Sequence, residues 1–97
     1  MKIMLICAGG MSTGILMKKM EKWAKDKKIN LEVKAYGVGE YEEHYKDYDC
    51  ILLGPQISYK ANEIRATVDK PVDLIQSFDY AVGNVDNIMK QVDKLLK

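Results

Sequence analysis

The chain is short of the side chains that most enzymes use for acid–base and metal chemistry. Its 97 residues include one histidine (His44), one arginine (Arg65), one tryptophan, one phenylalanine, two prolines and two cysteines, Cys7 and Cys50. One histidine cannot build a His-rich metal site, and two isolated cysteines lack zinc-ligand spacing, so no metal and no cofactor are expected. A Ser-His-Asp centre would rest on His44 alone. Charge of one sign is also lacking: 15 Lys and Arg stand against 14 Asp and Glu, a net charge of +1. That balance points away from nucleic acid and from an anionic membrane surface. No apolar run approaches the roughly 20 residues that span a bilayer. The opening run up to Ile6 is shorter than the about 7–15 apolar residues of a secretory leader. The expectation is a cytoplasmic protein with no membrane insertion, in a compartment where a thiol is more often chemical than bridged.

There are no repeats, low-complexity tracts or Pro/Gly/Ser linkers, so residues 1–97 read as one domain, with a monomer as the default. Ile3 to Cys7 is continuously apolar and runs into Gly9-Gly10, the pattern of a buried strand and a tight loop. Ser12 and Thr13 suit a helix N-cap. After them Leu16, Met20, Trp23 and Ala24 recur at helical spacing, with Lys18, Lys19, Lys22 and Lys25 largely on the other side. Leu31, Val33 and Ala35 alternate with Glu32, Lys34 and Tyr36, as in a half-exposed strand. Tyr41, Tyr45 and Tyr48 predict a short amphipathic helix. Cys50 to Leu53 is apolar and stops at Gly54-Pro55. Ala61, Ile64 and Val68 predict a further helix, Val72 to Ile75 a fourth strand containing Asp73, and Val85, Ile88, Met89, Val92, Leu95 and Leu96 a last helix.

Alternating strands and helices imply an α/β fold with a parallel sheet and helices on both faces. Strands 1 and 3 are apolar on both faces and belong in the middle; strands 2 and 4 suit the edges. The order 2-1-3-4 follows, a truncated flavodoxin-like sheet that also resembles the low-molecular-weight phosphatases. In such a sheet ligands bind outside the carboxyl ends of the strands, at the switch point between strands 1 and 3. Cys7 and the Gly54 turn flank that point.

The chemistry then centres on Cys7. Glycines in Ala8-Gly9-Gly10-Met11-Ser12-Thr13-Gly14 let successive backbone N–H groups converge, and the following helix adds its positive end. Such a nest favours a thiolate and then holds the oxygens of a phosphoryl group on sulfur, with the Ser12 and Thr13 hydroxyls as further donors. The plainer reading is a packed cysteine before an ordinary strand–helix turn. Gly9 and Gly14 have Walker A spacing, but Ile15 stands where lysine is required. A low-molecular-weight tyrosine phosphatase needs arginine six residues after its cysteine, and that position is Thr13. Acceptance of a phosphoryl group therefore fits better than its hydrolysis. Cys50 opens strand 3 while Cys7 closes strand 1, too far apart for a disulfide, so Cys50 reads as a core thiol.

The stretch from Cys7 to Gly14 resembles the phosphate loop of IIB proteins of the sugar phosphotransferase system, lactose/chitobiose (cellobiose) class. Leu52-Leu53-Gly54-Pro55-Gln56-Ile57, with Tyr59, resembles a second signature of that class. Gly10 and Gly14 depart from the commonest letters without removing a required side chain. The resemblance implies a carrier. Cys7 would accept a phosphoryl group from the phosphohistidine of a IIA protein and hand it to a β-linked disaccharide, of cellobiose, chitobiose or lactose type, at the membrane-embedded IIC sugar permease. Residues 8–14 would bind the phosphoryl group, and Gly54, Pro55, Gln56 and Tyr59 would form a second loop beside it. Met11, Ile57 and Tyr59 are expected as an apolar docking rim on flexible loops. The alternatives are a phosphatase-like hydrolase, and a non-enzymatic regulatory domain of the same fold, against which the free-standing length speaks. Gln56 is a candidate second donor to phosphate, Arg65 a less favoured one, and His44 a surface or half-packed residue.

Overall fold

A computed structural model describes residues 1–7 and 11–96, with side chains at all of these except 11–13. Four parallel strands, β1 (Lys2–Cys7), β2 (Glu32–Gly37), β3 (Cys50–Leu53) and β4 (Val72–Leu74), form one sheet in the order β2-β1-β3-β4. The order read from the strand patterns holds. Its reason is visible in burial: β1 is buried from Ile3 to Cys7 and β3 throughout, because both are covered on two faces.

Alternation along β1 sorts the core into two halves. Ile3 and Leu5 face one side with Cys50 and Leu52, packed by Leu16 and Met20 of α1 (Met11–Asp26) and by Ile88, Met89 and Val92 of α4 (Val85–Leu95). Met4 and Ile6 face the other with Ile51 and Leu53, under Tyr41, Tyr48, Ile57 and the α2 residues (Ala61–Thr67) Ala61 and Ile64. The Trp23 indole donates to Asp86 Oδ1 at 2.6 Å and ties α1 to α4.

Two expectations need correction, and one element is additional to those expected. The tyrosine segment is two 3-10 turns, Tyr41–Glu43 and Tyr45–Asp47, with Tyr48 extended. Eight residues are too few for a helix to gain much from propagation, and the aromatic packing sets the path instead. The Tyr36 ring stacks on His44 at 4.6 Å and meets Tyr48 edge-on, with the two tyrosine hydroxyls 3.1 Å apart. Helix α1 begins at Met11, so Ser12 and Thr13 lie inside its first turn and not at its N-cap. First-turn N–H groups lack intrahelical partners, which makes both residue types acceptable there. A short helix, α3 (Ser77–Val82), was not foreseen, because Phe78 and Val82 are exposed and leave no apolar stripe.

Candidate functional site

Cys7 is the last residue of β1, and its register partner on β2 is Gly37. On the other side, the Gly54 N–H donates to the Ile6 carbonyl at 2.9 Å, so the Gly54 turn lies against the same strand end. A glycine thus flanks the end of β1 on either side. Alternation puts Cys7 on the face of Ile3 and Leu5, the face that α1 covers. Helix α1 starts four residues after Cys7 and has no acidic residue in its first turn, so its positive end is not offset there. Cys7 is buried, with 7% of its surface exposed.

Of the expected phosphoryl-binding loop, Ala8, Gly9 and Gly10 lie outside the described residues, as do the side chains of Met11, Ser12 and Thr13. Gly14 is in the first turns of α1, with open space where a Cβ would stand.

The second loop is ordered by its own chemistry. Pro55 opens a 3-10 segment, Pro55–Lys60, whose Ile57 N–H donates to the Gly54 carbonyl at 3.1 Å. Its preset φ suits that first position. Ile57 is 1% exposed and belongs to the core, which corrects its expected place in a docking rim on a flexible loop. Tyr59, by contrast, is 76% exposed. Gln56 folds back over Gly54: its Oε1 lies 2.9 Å from the position a Gly54 Cβ would take. At that same position the Ile6 carbonyl and Tyr80 Cε2 are each 3.7 Å away. Tyr80, on α3, therefore borders the site, and so does Gly37. Sequence reasoning named neither, since nothing local marks a residue that arrives through a crossover. The trailing glycine of strand 2 was the only available hint.

Arg65 is engaged elsewhere. Its Nε and Nη2 donate to the Val72 carbonyl at 3.4 and 3.3 Å, and Nη2 lies 3.9 Å from Asp73 Oδ1. Val72 is in register with Ile51, which pairs with Met4, three residues before Cys7 and roughly 10 Å down the strand. His44 is half-buried against Tyr36, as a packed residue.

Both cysteines are free thiols. Cys50 pairs with Ile3, four residues from Cys7, so the two are separated by roughly 13 Å along the sheet. A disulfide needs Cα atoms within about 7 Å. Cys50 is fully buried, and burial, with a smaller contribution from Asp49, pushes its thiol up to about 11. Among the described residues no group of three or more His, Cys, Asp or Glu could hold a metal ion, and no helix is long and apolar enough to cross a membrane.

Residues 2–97 match the family model "PTS system, Lactose/Cellobiose specific IIB subunit". The oligo-beta-mannoside-specific EIIB component of Bacillus subtilis is 30% identical, over 98% of this chain and 95% of its own length. The cellobiose-specific EIIB component of Lactococcus lactis is 29% identical, over 97% and 94%. The solution structure of the cellobiose-specific phosphotransferase IIB component from Borrelia burgdorferi superposes with a TM-score of 0.82 at 28% identity, covering 99% of this chain and 91% of that one. The chain belongs to the lactose/cellobiose-specific IIB subunit family of the phosphotransferase system, whose members are sugar phosphotransferases.

Proposed function

We propose that Cys7 carries the phosphoryl group. The observation that bears most weight is its place: a lone thiol closing a central strand at the switch point of the sheet, between Gly37 and the Gly54 turn, with α1 starting four residues later. Open α/β sheets bind ligands at that point. In the first step the Cys7 sulfur attacks the phosphorus of a phosphohistidine on a IIA protein; the S–P bond forms, the N–P bond breaks and the imidazole takes back its electron pair. In the second step a hydroxyl of a sugar held by the membrane IIC protein attacks the same phosphorus. The O–P bond forms, the S–P bond breaks with its electron pair returning to the Cys7 sulfur, and the proton of the sugar hydroxyl passes to water.

The phosphoryl oxygens are held by backbone N–H groups of residues 8–14, helped by the Ser12 and Thr13 hydroxyls. Gly54, Pro55 and Gln56 form the facing wall, and exposed Tyr59 belongs to the surface the partners meet. Developing charge on a phosphoryl group is met by fixed donors at no reorganisation cost. A hydrolase would need a cationic clamp. The chain's one arginine is spent on Val72 and Asp73, which supports carriage over hydrolysis. The sugar is a β-linked disaccharide, in keeping with the cellobiose and oligo-β-mannoside names of two relatives.

The test is intact mass after incubation with phosphoenolpyruvate, the general phosphotransferase proteins and a IIA protein, with Cys7→Ser alongside. One added phosphoryl group, stable for minutes and absent from the variant, is the expected result. Phosphorylation that survives the substitution would move the carrier site elsewhere. No adduct, with turnover of an aryl phosphate, would favour a hydrolase.

A further inference from the structure

The sheet has an edge at β4, and every outward carbonyl of that strand is occupied by a side chain. Toward β3, the Ile51 N–H donates to the Pro71 carbonyl and the Ile75 N–H to the Leu53 carbonyl, both at 2.9 Å. Residues 71, 73 and 75 therefore bond inward, and the backbone groups of Val72 and Leu74 face outward. The Val72 carbonyl accepts from Arg65 Nε and Nη2. The Leu74 carbonyl accepts from Gln91 Nε2. The Leu74 N–H donates to Asp73 Oδ1 at 2.9 Å. Asp73 joins the two caps, since its Oδ2 accepts from Gln91 Nε2 at 2.8 Å while its Oδ1 lies 3.9 Å from Arg65 Nη2.

These residues come from both faces of the sheet. Arg65 is on α2 and Gln91 on α4, on opposite sides, and they reach round to meet at Asp73 on the rim. An unpaired strand edge is a template for another strand. The strand that can always reach it is the same edge of a second copy, and a net charge of +1 does little to keep two copies apart. We propose that Arg65, Asp73 and Gln91 form a clasp that stops a second copy of this chain from pairing onto β4. A protein passing between partners in turn would lose working concentration to such a dimer.

The test is Arg65→Ser with Gln91→Ser, which removes both caps and adds no apolar surface. Sedimentation velocity at about 100 µM, within the range where open edges associate, should show the wild type at the mass of one chain. The double variant should self-associate at least about tenfold more tightly, a difference large enough to read directly. Hydrogen exchange should show the Val72 amide slowed in the associated form. A double variant that stays monomeric and folded by circular dichroism overturns the proposal, as does association that leaves that amide in fast exchange. If the double variant loses its fold, the two single variants decide: each should associate to an intermediate degree, and monomers in both would overturn it.

Discussion

At the scale of single residues the two thiols are set apart by position. Cys50 lies in the α1/α4 half of the core, where a thiolate would be stranded without water, and its thiol is pushed up to about 11. A cysteine without these surroundings titrates near 9.0. A folded value above the unfolded one means that the contribution is complete below about pH 9 and is lost as pH rises through 11. Wild type should therefore lose about 2 kcal/mol more than Cys50→Val by pH 11, measured by urea unfolding. Parallel pH profiles would show that Cys50 is not the titrating group. Gly54 invites a second prediction. An alanine Cβ there would meet Gln56 Oε1 at 2.9 Å but only ordinary contacts at the Ile6 carbonyl and Tyr80. The flexible amide must move while the backbone stays. On the proposed role of Cys7, Gly54→Ala and Gln56→Ala should each slow phosphoryl transfer to it roughly tenfold, the worth of one hydrogen bond. The double variant should be no slower than either single one, because both remove the same amide. Multiplying effects would detach Gln56 from the phosphoryl group.

At the scale of elements, α3 and α4 are joined by a turn whose parts are separately measurable. Gly83 ends α3 in the left-handed region at φ 65°, and a Cβ there would meet Lys19 Nζ at 2.7 Å and Cδ at 2.8 Å. Asn84 then caps α4 by accepting the Asn87 N–H at 3.2 Å, while the Asn84 N–H donates to the Asp79 carbonyl at 2.9 Å. The buried Asp79 carboxylate takes the Asn87 amide at 3.3 Å. Asn84→Ala should cost about 1 kcal/mol. Gly83→Ala should cost more, about 1–2 kcal/mol, since backbone strain and the displaced lysine add. In a Lys19→Ala background the cost of Gly83→Ala should fall back toward the strain alone; an unchanged cost would mean that Lys19 moves aside freely. What the sequence made legible at this scale follows from which signals are local. β1 and β3 were readable because an unbroken apolar run ending in glycine has few other meanings, and their central places followed from the same runs. The tyrosine segment misled because helical spacing can also arise when aromatic rings cover a sheet from irregular turns. Ile57 misled for a related reason: a residue just after Gly-Pro reads as loop, yet the 3-10 turn drops it into the core. That Cys7 and the Gly54 turn lie together at the switch point was legible from topology, but the approach of Tyr80 and Gly37 was not, since each arrives from an element whose path only the fold determines.

At the scale of the molecule, the sheet is a partition. The chain's Cα radius of gyration, 12.2 Å, is close to the about 12.5 Å expected for this length, so two half-cores share a normal volume divided by one layer of strands. Ile64 lies in one half and Ile88 in the other, both fully buried. Shaving one methyl group from each probes whether the halves respond separately. Ile64→Val and Ile88→Val should each cost about 0.5–1.5 kcal/mol. Residues without shared partners usually add within about 0.5 kcal/mol, so the double variant should cost the sum. Urea unfolding of the four proteins checks this, provided that a single transition is kept with an unchanged m-value. A double cost below the sum by more than about 0.5 kcal/mol would mean that relaxation crosses the sheet. The strand that would carry such a shift is β1, whose side chains alternate between the halves and whose last residue is Cys7. Additivity would instead make β1 a rigid divider, able to hold the end of the strand in place while either face is repacked.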